Sequence, residues 1–302
     1  MCTTCGCSGT IGGESAVLLV HDHGHLHEHS HAHDDPHDHP HEPGHGDSHG
    51  HAHDQELPRD ARAMDSTGAR TVQLEQDILA KNQLLAERNR GWLQGREIYT
   101  VNLMSAPGSG KTTLLERTVR ALKKEVVVSV IEGDQETRLD AERIRAAGAR
   151  VVQINTGTGC HLDAEMLGRA LHELSPAVGS LLFVENVGNL VCPALFDLGE
   201  GARVVIASTT EGEDKLLKYP HMFRAADLIL LNKVDLLGHL DFAVDRFTAH
   251  VRSVNLSAKV LQVSAIRGDG LPAWYRWLSV RDPRRSSEIG AMAEASQGPR
   301  ST

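Results

Sequence analysis

IYTVNLMSAPGSGKTT, residues 98–113, runs from an apolar β-rich segment through a glycine-rich turn into a helix-forming one. A strand, a glycine-rich turn and a helix in that order form the context of a phosphate-binding loop. Gly108 and Gly110 let backbone N–H groups approach a phosphate, and the helix N-terminus attracts the anion. Lys111 can neutralise β- and γ-oxygens, and the Thr112 hydroxyl is placed to ligate Mg²⁺. Ser105 stands where the general GxxxxGK pattern has glycine, a departure from it.

Working outward, IYTVNLM (98–104), VVVSVI (126–131), VVQI (151–154), SLLFVE (180–185), RVVIA (203–207), DLILL (227–231) and KVLQV (259–263) read as strands. Segments of helical composition separate most of them, among them 112–124, 138–147, 161–174 and 240–253. Nearly continuous apolar strands alternating with helices predict an α/β fold, a mostly parallel, doubly wound sheet covered on both faces. Upstream, Val72, Leu74, Ile78, Leu79, Leu84 and Leu85 fall loosely on one face of a predicted amphipathic helix leading into the globular part.

Ligands of open α/β sheets bind beyond the C-terminal strand ends. Asn232, Lys233 and Asp235 follow the strand DLILL there, about 120 residues after the phosphate loop, and Ser264-Ala265 follows the next strand. The NKxD spacing suits guanine. The Asp235 carboxylate can accept from both N1–H and the 2-amino group, Asn232 can serve N7 or O6, and the Lys233 stem can lie along the base. Two acidic residues end strands on the phosphate side, Asp134 in IEGDQET and Glu185 in VENVGN. Either could hold Mg²⁺ or orient the attacking water. Gly188 could sense the γ-phosphate through its N–H, making 185–192 a switch segment.

The N-terminal part is built differently. All eleven aromatic residues lie beyond residue 91, and residues 1–58 hold ten acidic residues and no Lys or Arg. The remaining 30 acidic and 31 basic residues leave the body near neutral, which argues against a general nucleic-acid binder. Fourteen histidines crowd residues 21–53, mostly at alternate positions with no apolar periodicity, and predict a disordered tail that holds several ions weakly. Cys2, Cys5 and Cys7 form a CxxCxC cluster. Three thiolates and the α-amine suit one four-coordinate divalent ion, square-planar Ni²⁺ or Zn²⁺. An odd count of five cysteines fits metal thiolates in the reducing cytoplasm better than disulfides. No apolar run is long enough for a membrane span, and the basic start of a signal peptide is missing. Cys160-His161, expected to open a helix, and Cys192 supply three soft ligands near the proposed switch. Residues 1–60 therefore read as a disordered metal-binding region, 70–280 as the nucleotide-binding domain and 281–302 as a disordered tail.

Taken together, MCTTCGC, the histidine tail, PGSGKTT, EGDQET, NTGTGCHLDAEM, ENVGNLVCPA and NKVDLL resemble the HypB family, the nickel-inserting GTPases of [NiFe]-hydrogenase maturation. The resemblance implies a SIMIBI-type P-loop GTPase that hydrolyses GTP to GDP and forms a homodimer. It implies phosphate contacts at Gly108, Ser109, Gly110, Lys111, Thr112 and Thr113, and guanine recognition at Asn232 and Asp235. It places a tight Ni²⁺ site at Cys2, Cys5 and Cys7 and a second Ni²⁺ or Zn²⁺ site at Cys160, His161 and Cys192. Some relatives carry another histidine in the helix after the Cys-His pair, and Glu165 occupies that neighbourhood here. The partners it implies are the hydrogenase large subunit and a HypA-type metallochaperone. A urease-type maturation GTPase shares the phosphate loop, but ENVGNLVCP and the CxxCxC cluster fit it less well. A nickel store would need no GTP turnover.

Overall fold

The computed structural model describes residues 59–134, 139–157 and 159–281. Cys2, Cys5, Cys7, the histidine tail and the segment after residue 281 lie outside them. By its contacts the chain divides between Gln73 and Leu74. Residues 59–73, the described part of one unit, are helical. The described part of the other unit begins at Leu74 and holds the sheet.

Seven strands, β1 (Tyr99–Ser105), β2 (Val128–Asp134), β3 (Arg150–Asn155), β4 (Leu181–Glu185), β5 (Ala202–Ser208), β6 (Leu228–Asn232) and β7 (Lys259–Gln262), form one sheet. Its order is β3-β2-β4-β1-β5-β6-β7 and every pairing is parallel. The seven apolar runs of the sequence map onto these strands one for one. Nine helices occur among the described residues: α1 (Arg59–Gln94), α2 (Lys111–Leu122), α3 (Leu139–Ala147), α4 (Ala164–Leu174), α5 (Cys192–Leu195), α6 (Lys215–Lys218), α7 (Pro220–Arg224), α8 (Val244–Val254) and α9 (Leu271–Arg281). None is long and apolar enough to cross a membrane.

The two-residue period of the strands sends alternate side chains to opposite faces. Val101 and Leu103 of β1, Leu181 and Phe183 of β4 and Val204 and Ile206 of β5 join one core with Leu114, Leu115 and Val119 of α2, Ile144 of α3 and Trp274 and Trp277 of α9. Trp274 is fully buried, lies 5.5 Å from Trp277 between ring centroids, and donates to Thr118 Oγ1 at 2.9 Å. The opposite face carries two separate cores. One packs Leu182 and Val184 against α4 and Leu93, and the other packs Val205, Ile229 and Leu231 against α7 and α8.

Between those two cores runs a buried polar seam. Asn102 of β1 donates to Glu200 Oε1 at 3.2 Å and accepts from Asn186 Nδ2 at 3.4 Å, and all three residues are buried. Buried amides need partners, so the loop after β4 is held to the central strand by side-chain hydrogen bonds as well as by the ladder.

Two local expectations change. Helix α1 exists, but Leu74, Ile78, Leu79 and Leu84 of its apolar stripe are exposed, and the buried face is Asn82, Ala86, Asn89 and Leu93. The two asparagines satisfy backbone groups across the chain. Asn82 donates to Asp197 O at 2.7 Å and accepts from Ala164 N at 2.9 Å, while Asn89 donates to Ala164 O at 2.8 Å and Leu198 O at 3.1 Å. The second change concerns α4, which begins at Ala164, so Cys160-His161 sits in the turn before it. Asp163 caps the helix by accepting from Met166 N at 2.7 Å, and that cap fixes the start.

Candidate nucleotide and metal site

β1 is the central strand from which the order runs outward both ways, and the loop after it opens α2. Gly110 has φ 96°, and a Cβ there would stand 2.5 Å from Asn232 Nδ2, so only glycine fits both the backbone and its neighbour. Ser109 is buried and donates to Ala106 O at 2.9 Å. Ser105, the departure from the general pattern, accepts from Lys111 Nζ at 2.9 Å and donates to Ala106 O at 2.7 Å, so its hydroxyl parks the lysine beside the loop. Burial holds the Lys111 ammonium below its ordinary pKa, opposed by the charges of Glu185 and Asp140.

A cavity of about 460 Å³ opens in front of this loop, walled by 107–113, by 132–134 at the end of β2 and by 185–188 at and just beyond the end of β4, with Asp140 and Arg143 from α3. The Thr112 hydroxyl lies 2.7 Å from Glu185 Oε1 and 3.0 Å from Asp140 Oδ2. Glu185 Oε2 is buried with no hydrogen-bond partner, and burial pushes this carboxyl above its usual range, against the pull of Lys111 and Thr112. An alcohol and carboxylate oxygens, one of them unpartnered, fit the hard oxygen ligand set that Mg²⁺ takes. Asp134 ends β2, half-buried, on the cavity wall. Thr113 Oγ1 accepts from Arg143 at 3.3 Å.

At the base-recognition motif, the buried Asn232 amide donates to Ser109 O at 2.8 Å and accepts from Ala265 N at 3.0 Å. The side chain is a strut that joins the phosphate loop to the Ser264-Ala265 turn. Lys233, at φ 61°, reaches back to donate to Gly108 O at 2.8 Å, so its stem crosses the phosphate loop. Asp235 is half-buried in the short turn just beyond it. Ser264 is buried, and its Oγ accepts from Arg267 N at 3.0 Å.

The three soft ligands come together. Cys160 Sγ lies 3.1 Å from Cys192 Sγ and 3.7 Å from His161 Nδ1, and one ligand atom of each residue lies within 4.8 Å of the others. Burial lowers the His161 pKa, with Asp163 opposing, so the imidazole is neutral at pH 7 and free to coordinate. The Phe196 ring lies against it at 4.0 Å between centroids. Two thiols and a neutral imidazole form a donor set for Ni²⁺ or Zn²⁺. Glu165 is not part of it, being exposed and ion-paired with Lys81 at 3.0 Å.

Residues 99–262 match the CobW/HypB/UreG nucleotide-binding domain. The hydrogenase maturation factor HypB of Azotobacter chroococcum is 53% identical over 241 residues, covering 80% of this chain and 79% of that protein. The chain belongs to the HypB family. Solved HypB structures are similar throughout the nucleotide-binding body. That from Archaeoglobus fulgidus is 43% identical with a TM-score of 0.62, covering 66% of this chain and 97% of that one. HypB from Helicobacter pylori, crystallised in complex with nickel, is 34% identical with a TM-score of 0.63, covering 68% of this chain and 96% of that one. The chain is thus a hydrogenase maturation factor with a P-loop GTPase fold.

Three residues at this HypB-family pocket escaped the sequence reading. Asp140 shares the Thr112 hydroxyl, and Arg143 donates to Asp140 at 3.2 Å and Glu116 at 3.0 Å. Both belong to RLDAERIRAA, which read only as a helix. Glu132 is buried on β2 in register with Glu185, with Oε2 unpartnered. Burial and the charges of Glu185, Asp134 and Asp140 push its carboxyl up to about 8. A glutamate inside an apolar run two residues before EGDQET's aspartate was the available signal.

Proposed function

We propose that this chain binds and hydrolyses GTP and uses the nucleotide state to govern nickel delivery to the large subunit of a [NiFe]-hydrogenase in the cytoplasm. One observation carries the reading: Cys160, His161 and Cys192 cluster together, and Cys192 lies four residues beyond Gly188 on the chain segment that runs on from the cavity wall at 185–188. Displacing the 185–192 segment around a γ-phosphate would move the Cys192 sulfur relative to Cys160 and His161. Metal would then bind the two nucleotide states with different affinity, and by linkage would shift nucleotide preference by the same factor.

In the hydrolysis step Lys111 and the 108–113 backbone hold the β- and γ-phosphates, and Asp134 or Glu185 orients the attacking water. Mg²⁺, held by Thr112 with Glu185 or Asp134, supplies charge neutralisation on the phosphate oxygens when bound. Asp235 reads guanine, Asn232 and Lys233 brace the loops that seat the nucleotide, and Ser264-Ala265 closes the base side. Cys2, Cys5 and Cys7 hold Ni²⁺ tightly, and the histidine tail adds capacity. A homodimer and a HypA-type metallochaperone complete the assembly we envisage.

The test uses the full chain with Cys2, Cys5 and Cys7 changed to serine. Of the five cysteines only Cys160 and Cys192 then remain, so the thiolate-to-Ni²⁺ charge-transfer band reports the second site alone. Nickel affinity is measured in GDP and in a non-hydrolysable GTP analogue. Different affinities support nucleotide-governed delivery, and equal ones leave a GTPase that merely carries metal. GTP turnover by the parent separates this reading from a nickel store.

A further inference from the structure

Residues 185–189 touch the phosphate loop on one side and the metal turn on the other. Toward the phosphates, Glu185 accepts from Thr112, and Gly188 lies so close to Pro107 that an added Cβ would come within 3.1 Å of its ring and backbone. Toward the metal, the next side chains in the same five residues reach the peptide groups on either side of His161. Asn189 Nδ2 donates to Cys160 O at 3.3 Å, and Asn186 Oδ1 accepts from Leu162 N at 3.2 Å. Each asparagine is fixed by a further bond within its own segment, Asn186 Oδ1 from Val187 N at 3.0 Å and Asn189 Oδ1 from Val191 N at 2.8 Å. Asn186 is also tied to Asn102 in the buried seam. Leu162 completes the contact by packing on Gly133 of β2, where a Cβ would meet its side chain at 2.8–2.9 Å.

We propose that Asn186 and Asn189 are the positioning residues through which nucleotide state reaches the second metal site, by gripping the backbone of Cys160 and Leu162 around His161. The inference rests on the reading that nucleotide governs metal affinity, and it assigns that control to two side chains that grip the backbone around His161 instead of supplying metal ligands. Packing alone would let the turn and the switch slide past each other. Two directional hydrogen bonds bracketing one ligand residue oblige the turn to follow when the segment moves, while Cys192 moves at the segment's far end.

The asparagine amide permits an isosteric test. Asn189→Asp keeps the oxygen that accepts from Val191 N but removes the donor to Cys160 O, replacing it with an oxygen that repels that carbonyl. In the full chain lacking Cys2, Cys5 and Cys7, nickel affinity is read from the thiolate charge-transfer band in GDP and in the GTP analogue. Coupling in allosteric proteins is commonly a factor of about 5–150. We expect Asn189→Asp, and Asn189→Ala beside it, to bring the ratio of affinities within about twofold of unity while Ni²⁺ still binds. A variant that keeps the parent's ratio overturns the proposal. So does loss of nickel binding in both nucleotide states, which would make Asn189 part of the site's construction. A parent ratio of one fails the underlying reading instead, before any variant is compared.

Discussion

Removing the buried Glu132 carboxyl should change how stability responds to pH. In the nucleotide-free protein this group is 2% exposed and its pKa is pushed from 4.5 up to about 8, so the folded state holds a proton that the unfolded chain releases near its ordinary value. A pKa raised on folding contributes stability that is fully present below 4.5 and is lost as pH rises through about 8. At about 1.4 kcal/mol per pKa unit, the loss is roughly 3 kcal/mol by pH 7 and roughly 1 kcal/mol more between pH 7 and 9. Glu132→Gln cannot release that proton. Urea unfolding at pH 7, 8 and 9 in chelator, without nucleotide, should therefore show the variant's stability relative to the parent rising by roughly 1 kcal/mol across the range. The histidine tail and Glu185 are common to both proteins and largely cancel in the difference. Parallel stability curves would mean that Glu132 is already ionised at neutral pH in the folded protein, and the burial reasoning would fail.

Asn232→Ala strips partners from Ser109 O and Ala265 N–H, which at about 1–3 kcal/mol per orphaned group should lower unfolding stability by roughly 2–6 kcal/mol; a loss below about 1 kcal/mol in urea would show that the strut is dispensable. Asp235→Asn sets a donor against guanine's 2-amino group, so turnover assays at low nucleotide should show GTP use falling and XTP use gained, whereas an unchanged preference for GTP places the carboxylate away from the base. Deleting residues 21–53 should lower the number of Ni²⁺ ions bound at equilibrium dialysis but leave the tightest site in place, and loss of that site with the three N-terminal cysteines present contradicts the division between capacity and affinity.

What the sequence disclosed depends on the range of each interaction. The seven strands and the phosphate loop were legible because periodicity, glycine placement and a helix start act within a few residues. The buried face of α1 was not, because Asn82 and Asn89 are buried only by virtue of carbonyls and amides at 164, 197 and 198, some 75 to 115 residues away. A polar pair at helical spacing reads as solvent-facing until those partners are known. Glu132 was missed for the same reason, since its burial depends on the register of β2 against β4. The convergence of Cys160, His161 and Cys192 came from family resemblance, and spacing alone left them as ordinary residues. Asn232 shows the converse: the motif was evident, but the bonds by which its amide ties Ser109 O to Ala265 N were not, because they span 123 and 33 residues.

The bonds from Asn232 to Ser109 O and from Lys233 to Gly108 O make one side of the nucleotide cleft a single braced wall, with base end and phosphate end bolted together before any ligand arrives. GDP and GTP present identical groups to the base end of that wall, which therefore has nothing with which to tell them apart. On the proposed function, discrimination between the two would fall to the opposite wall, at the ends of β2 and β4, the second of which leads on to Cys192. The cleft thus works like a vice with one fixed jaw. On the proposed function the fixed jaw would set which nucleotide is held, and the travel of the other would be the signal available to the metal.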